Sequence, residues 1–279
     1  MTKWNLIVDV AKCTNCNLCT LACQDEHVGN DFPGYAAPMP KHGHRWIEIR
    51  SKERGRFPQI DVAHLPTMCN HCDAAPCIAV AEDGAVKKRD DGIVIIDPQK
   101  ARGQRGIVDA CPYGAVWWNE ALQLPQHWIF DAHLLDAGWT APRAVTGCAT
   151  GALTAVRVED ARMVEIARDE GLEVLRPELG TRPRVYYKNL HRYAACFIAG
   201  SLAAEVDGTV DCVVAARVIL EAGGEAIAET VSDAFGDFKF DGLAEGSGGY
   251  RVEIQAQGRP ARSIEIDLDG ASSLGTIYL

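Results

Sequence analysis

Hydrophobic and polar positions divide the chain into short elements with turn residues between them. Trp4 to Val10 (WNLIVDV) reads as a strand that leads directly into a cysteine block. A loop follows, marked by Gly29, Pro33, Gly34, Pro38 and Pro40, and Arg45 to Arg50 (RWIEIR) then alternates like a strand. Asp90-Asp91-Gly92 is a turn signal before the strand-like Ile93 to Asp97. Asp160 to Glu170 has helical character, with Asp160 as a candidate N-cap and Gly171 as the stop. Arg176 to Leu190 is rich in proline and aromatic residues, which predicts extended chain.

The pattern changes beyond Val210. Short apolar runs (VVAARVIL, AIAETV, FKF, YRVEIQA, SIEIDL, TIYL) alternate with turns such as Ala222-Gly223-Gly224 and Phe235-Gly236-Asp237. Evenly spaced short strands predict an all-β sandwich or small barrel of immunoglobulin- or transthyretin-like kind. The predicted fold class is therefore α+β, with residues 1–195 carrying nine of the 11 cysteines and residues 196–279 forming the β module.

Charge sharpens that boundary. Cys196 to Leu279 holds 5 Lys and Arg against 14 Asp and Glu, a net −9 of the chain's −10, so the preceding residues are almost neutral. A chain without a basic stripe is not built to bind nucleic acid. The first residues lack a basic segment followed by an apolar one, and the longest apolar stretch, around Ala194 to Ala204, is too short to span a bilayer. The expectation is a soluble cytoplasmic protein.

Nine of the 11 cysteines precede residue 150, and in a reducing compartment such clustering points to metal ligation rather than disulfides. The first block is Cys13-x2-Cys16-x2-Cys19-x3-Cys23. Spacings of two let successive thiolates curl around one cubane, while the fourth cysteine of such a run ligates a different cluster in two-cluster ferredoxins. A zinc site also takes four ligands, but usually as two separated pairs. The second block, Cys69-x2-Cys72-x4-Cys77, has Ala81 where a fourth thiol would be expected, and alone it is ambiguous between cluster and zinc. Each block needs a remote partner. Cys111, followed by Pro112, is the donor for the second, and Cys148, in the turn Thr146-Gly147-Cys148, is the best placed for the first. Cys196 and Cys212 read as buried small hydrophobes.

Val8 to Cys13, Gly43-His44-Arg45-Trp46, Asp91 to Pro98, Asp109 to Gly114, Ala132 to Asp136 and Pro177 to Leu190 resemble the ferredoxin-like electron-transfer subunits of molybdopterin oxidoreductases. Within that group the chain is similar to the small subunits of the pyrogallol–phloroglucinol transhydroxylase and resorcinol hydroxylase type, over nearly its whole length. The resemblance implies a duplicated ferredoxin-like domain in which four cysteine quartets bind clusters in crossed pairs, first with fourth and second with third. The third quartet survives here only as Cys111, and the fourth only as Cys148. Trp128-Ile129-Phe130-Asp131 stands where the related chain would supply Cys-x2-Cys, and Ala144 replaces the next thiol. The pattern of three clusters thus reduces to two [4Fe-4S] clusters, on Cys13, Cys16, Cys19 and Cys148 and on Cys69, Cys72, Cys77 and Cys111. Cys23 keeps a ligand's spacing without partners. Asp131, His127 or His133 are the donors by which iron could still be held there, against the reading that Trp128 and Phe130 fill the vacated volume.

Nothing in the sequence forms a nucleophile–base pair, a phosphate loop or an open zinc site, so chemistry on a substrate falls to another chain. The resemblance implies a large partner subunit carrying molybdopterin guanine dinucleotide and acting on a polyhydroxylated benzene, with Tyr186-Tyr187 and the β module as candidate contacts to it. The competing readings are an iron–sulfur adaptor with little net electron transfer, and a free-standing ferredoxin. His71, between Cys69 and Cys72, reads as shaping its loop, and His44 and His64 carry no assigned role.

Overall fold

The computed structural model describes residues 1–279, which divide into two compact units: Met1–Arg50 with His64–Leu190, and Ser51–Ala63 with His191–Leu279. The charge step at Cys196 gives no sign of the earlier excursion, in which the chain leaves the first unit at residue 51 and returns at 64. That excursion is the end of a hairpin. Its residues, SKERGRFPQIDVA, are mostly polar and carry no apolar period that would announce where they pack.

The first unit contains strand β1 (Lys3–Asp9), helix α1 (Leu18–His27), the outer parts of β2 (Ile47–Arg56) and β3 (Gln59–Met68), α2 (Pro76–Ala79), β4 (Val86–Lys88) and β5 (Val94–Ile96). It continues through α3 (Gly106–Asp109), β6 (Trp117–Asn119), β7 (Leu124–Gln126), α4 (Ala132–Asp136), α5 (Arg143–Thr146), β8 (Leu153–Val158), α6 (Asp160–Glu170) and β9 (Val185–Lys188). The apolar run at the start forms the middle of a three-stranded sheet. There β1 pairs antiparallel with β8 and parallel with β9, so Leu6 and Val8 are fully enclosed. Two small antiparallel hairpins, β4–β5 and β6–β7, carry a second core of Val86, Val94, Ile96, Ile107, Val116 and Leu124.

Helix α6 follows the predicted span. Glu159 takes the N-cap position, however, and Asp160 lies in the first turn, where its carboxylate faces the positive end of the helix and pairs with Lys3 and Arg184. Gly171 ends the helix at φ 62°, a left-handed conformation that glycine adopts without a side-chain clash. The segment predicted to be extended, 176–190, contains a 3-10 turn at Pro177–Leu179 before β9, because Gly180 and Arg182 turn left-handed.

Besides Ser51–Ala63, the second unit contains α7 (His191–Ala194), β10 (Cys196–Val206), β11 (Thr209–Cys212), β12 (Arg217–Ala222), β13 (Glu225–Val231), β14 (Asp237–Leu243), β15 (Gly248–Gln255), β16 (Arg262–Leu268) and β17 (Ser272–Tyr278). One sheet is centred on β10, which pairs with β11, β14 and β17; the other runs β13-β12-β15-β16. Ile198 and Leu202 from one sheet and Val218, Leu220, Val252 and Ile254 from the other share one core with Phe238 and Phe240. Cys196 is buried in this core, as its apolar setting predicts. Cys212 is exposed instead, because β11 is a short edge strand whose four residues all face solvent. Arg54, on the excursion, is almost completely buried; it donates to both carboxylate oxygens of Asp241, at 2.8 and 3.0 Å, to the Ala195 carbonyl and to Asp61.

Candidate metal centre

The local backbone explains the cysteine spacings. In each two-residue gap one residue adopts the left-handed conformation: Asn15 between Cys13 and Cys16, Asn17 between Cys16 and Cys19, and His71 between Cys69 and Cys72. Asparagine tolerates that region better than other side chains with a Cβ. The reversal turns amides towards sulfur: the Asn15 backbone hydrogen-bonds Cys13, and the His71 backbone hydrogen-bonds Cys69. Cys19 is bonded by the backbone of Thr20, whose hydroxyl donates to the Ile47 carbonyl at 3.0 Å.

Packing of short helices brings in the remote thiols. Helix α1, which carries Cys19 and Cys23, packs on α5, which ends two residues before Cys148; α2, which carries Cys77, packs on α3, which ends two residues before Cys111. Cys148 consequently interacts electrostatically with Cys13 and Cys19, and Cys16 with Cys13. Cys111 interacts with Cys69, Cys72 and Cys77. The structure therefore gathers two sets of four thiols, each drawing three from one run and one from far along the chain. No three His, Cys, Asp or Glu side chains converge tightly enough to hold a single ion.

Burial dominates the titration of these groups. It pushes Cys19, Cys72 and Cys77 up to about 11, raises Cys13, and drives Cys69 well above the ordinary thiol range. Neighbouring thiols reinforce the effect. Such sites disfavour free thiolates and suit a bound cationic centre that offsets the charge. The donors thus fit an iron–sulfur cluster in chemistry and number.

The loop around Cys69 is also pinned from outside. Lys88 Nζ donates to the carbonyls of His71 and Cys72, at 2.7 and 3.0 Å, and pairs with Asp73. Arg184 grips Asp73 through two 2.7 Å bonds and crosses Gly92 so closely that a Cβ there would meet its Cδ at 2.9 Å. His71 Nδ1 accepts the Val94 amide at 3.1 Å, which assigns the ring a loop-shaping role. His44 is buried and donates to the Trp118 carbonyl at 3.0 Å.

Cys23 has different company. It is buried and pushed far above the ordinary thiol range by desolvation first, then by Asp131, Cys19 and Glu26. Asp131, which acts on it, and the preceding Trp128, Ile129 and Phe130 are no more than 2% exposed. Trp128 and Phe130 stack at 4.9 Å and both rings approach His71. Asp131 is committed three ways: it accepts from His27 Nε2 at 3.2 Å, from the Trp128 indole at 3.3 Å and from the Arg143 amide at 2.8 Å. His133 is bonded to Glu26 at 2.8 Å, and His127 donates to the Trp128 carbonyl at 2.6 Å. None of the three alternative donors is presented to Cys23 as a ligand set. Sequence reasoning missed His27 and Glu26, whose only signal was their place on the helix that carries Cys23.

Comparison with known proteins decides the family. A family model described as a 4Fe-4S dicluster domain matches residues 60–158. The pyrogallol hydroxytransferase small subunit of Pelobacter acidigallici is 42% identical over 282 residues, covering 100% of both chains. This chain belongs to that family of iron–sulfur small subunits. A tetrathionate reductase subunit of Salmonella typhimurium is 33% identical over 67% of this chain and 73% of its own. The arsenate respiratory reductase iron-sulfur subunit of a Shewanella species is 31% identical over 50% and 55% respectively. Residues 60–158 include the second thiol run, Cys111, Cys148 and the filled site around Trp128, whereas Cys13 to Cys23 lie before them. Membership in the iron–sulfur small-subunit family therefore extends to the first run through the full-length relative.

Proposed function

We propose that this chain is the electron-transfer subunit of a heterodimeric molybdopterin enzyme acting on a polyhydroxylated aromatic compound in the cytoplasm. It holds two [4Fe-4S] clusters, one on Cys13, Cys16, Cys19 and Cys148 and the other on Cys69, Cys72, Cys77 and Cys111. The reading rests on one observation: each x2-spaced run lies beside a single thiol that follows a short helix far along the chain. The paired helices α1 with α5 and α2 with α3 support a duplicated ferredoxin-like domain over residues 1–195. The strand content of residues 196–279 supports an all-β module of immunoglobulin- or transthyretin-like kind. No helix is long and apolar enough to cross a membrane.

When bound, each cluster supplies a one-electron store whose potential follows charge, hydrogen bonds to sulfur and burial. The chain's own residues set those terms. Backbone groups of Asn15, Thr20, His71 and Ile78 bond the sulfurs. Lys88 places a cation over the second loop. The substrate chemistry, and the molybdopterin guanine dinucleotide, are assigned to the large partner chain, for which the relatives' names as subunits of enzymes are the support. Tyr187 does not serve that contact: it is fully enclosed in its own unit and donates to the Pro66 carbonyl at 3.2 Å.

A second reading, an adaptor with little electron flow between its two clusters, is favoured by the filled site beside Cys23. Packed aromatic side chains occupy the place where the family pattern would supply a relay. Iron and acid-labile sulfide analysis of the purified complex, with reductive titration followed by electron paramagnetic resonance, tests both. About eight irons in this chain, in two reducible cubanes, supports the proposal; about twelve would overturn the account of Cys23, and clusters that resist reduction would favour the adaptor.

A further inference from the structure

The charged side chains behind the second thiol set form one connected row. Lys88 Nζ lies 2.8 Å from the Asp73 carboxylate, and Arg184 holds the same carboxylate through two 2.7 Å bonds. Arg184 also reaches Asp160 at 2.9 Å, and Asp160 pairs with Lys3 at 2.6 Å. Three cations thus share two carboxylates, which leaves one positive charge in surplus. Arg184 is buried and Lys88 and Asp73 are half-buried, whereas Asp160 is exposed and the more screened by water and salt.

The inner end of the row is fixed to the ligand loop itself. Besides Asp73, Lys88 Nζ faces the carbonyls of His71, Cys72 and Gly92 at 2.7, 3.0 and 2.9 Å. An ammonium has three N–H groups, so these oxygens share them. Lys88 pairs with Val94 across the β4–β5 hairpin, and the Val94 amide donates to His71 Nδ1 at 3.1 Å. One hairpin therefore positions both the cation and the loop between Cys69 and Cys72. The first thiol set is placed differently. Helix α1 carries Asp25 and Glu26, and Arg143 is shared between them at 2.6 and 2.5 Å. Lys12, beside Cys13, is exposed, so its charge is screened.

We infer that Lys88, held in this row, raises the potential of the cluster on Cys69, Cys72, Cys77 and Cys111 and leaves the other cluster nearly unchanged. This rests on the cluster assignment proposed above. Reduction adds one negative charge to a cluster, so a fixed cation stabilises the reduced state more than the oxidised one. The carbonyl of Cys72, itself a member of the set, is one of the oxygens that hold the ammonium, which keeps the charge close. Lys88 is a positioning residue: it bonds carbonyls and a carboxylate, not iron.

The test is a mediated redox titration of the purified complex, read by electron paramagnetic resonance, on wild type, Lys88→Met, Lys88→Arg and Asp73→Asn. Lys88→Met is expected to lower one cluster's midpoint, and Lys88→Arg, which keeps the charge, to lie closer to wild type. Asp73→Asn, which removes a negative charge from the same row, is expected to move that midpoint upwards. The second cluster signal stays in place throughout. A purely structural lysine would not give shifts that follow the sign of the charge removed. An unmoved midpoint in Lys88→Met with full iron content overturns the inference, as does an equal shift of both clusters. Should Lys88→Met lose iron from this set, Asp73→Asn decides: a rise supports the inference, and no rise overturns it. A wild-type complex without iron in this chain would instead defeat the cluster assignment, so the two failures are distinguishable.

Discussion

The surroundings of the Cys69 quartet and of Cys23 show how differently one fold treats the same side chain. Around Cys69, Cys72, Cys77 and Cys111, short helices and a left-handed turn leave four thiols near one another, the His71 backbone bonds the Cys69 sulfur, and Lys88 holds the loop through the His71 and Cys72 carbonyls. Around Cys23, Asp131 gathers donors from His27, Trp128 and Arg143, while His27 Nδ1, His127 Nε2 and His133 Nδ1 are buried without a hydrogen-bond partner. A buried thiol with no ligand partners behaves as a small hydrophobe. What separates a site from a remnant is therefore the neighbours, since desolvation raises Cys23 and Cys69 alike, well above the ordinary thiol range.

The largest effect that would test this contrast is loss of a ligand. Cys111→Ser is expected to remove one whole cluster, about half of about eight irons, while the resonance signal of the other set persists. Loss of all iron would mean that the two thiol sets are not independent. Next in size, Trp128→Ala should cost about 3–5 kcal/mol, the usual range for truncating a buried tryptophan. Denaturant unfolding followed by near-ultraviolet circular dichroism would measure it. A loss below about 1 kcal/mol would argue that the ring does not fill a closed volume.

A pH effect in the second unit comes next, as a control outside both thiol environments. Burial pushes the Asp61 and Asp241 carboxyls up, but hydrogen bonds from Lys239 and Arg54 more than reverse this and hold both below the ordinary range. The unfolded chain takes up these protons near pH 4, at about 3.9. Their stabilisation is therefore complete above that value and is lost as pH falls towards the lower folded values. Amide exchange in β10 and β14, corrected for its intrinsic pH dependence, should lose protection below about pH 4, and Asp241→Asn should flatten that loss. Protection independent of pH in the wild type would remove the ion pairs from the account. The smallest effect is the most pointed: Cys23→Ala should leave iron content unchanged, and any loss of iron would restore Cys23 as a ligand.

Much of the local structure was legible because it depends on neighbouring residues. The apolar run at Trp4, the helix from Asp160 and its stop at Gly171 depend on local period and backbone preference. The candidate ligands were equally visible, because spacings of two are a short-range property of the thiol runs. The shortfalls are non-local. Hairpin residues 51–63 joining the second unit, Cys212 facing solvent and the turn within 176–190 all depend on which strand lies beside which.

By itself, then, the sequence determined the two thiol runs, the absence of thiols at residues 128–131, and the switch to short strands after Val210. Only the tertiary structure decided how the vacated place is filled. Asp131 could be read as a substitute ligand until its oxygens were seen committed to His27, Trp128 and Arg143. The physical reason is that a carboxylate's role depends on donors that reach it across the fold. Those donors come from positions over 100 residues away as readily as from the adjacent turn, and no periodicity along the chain records them.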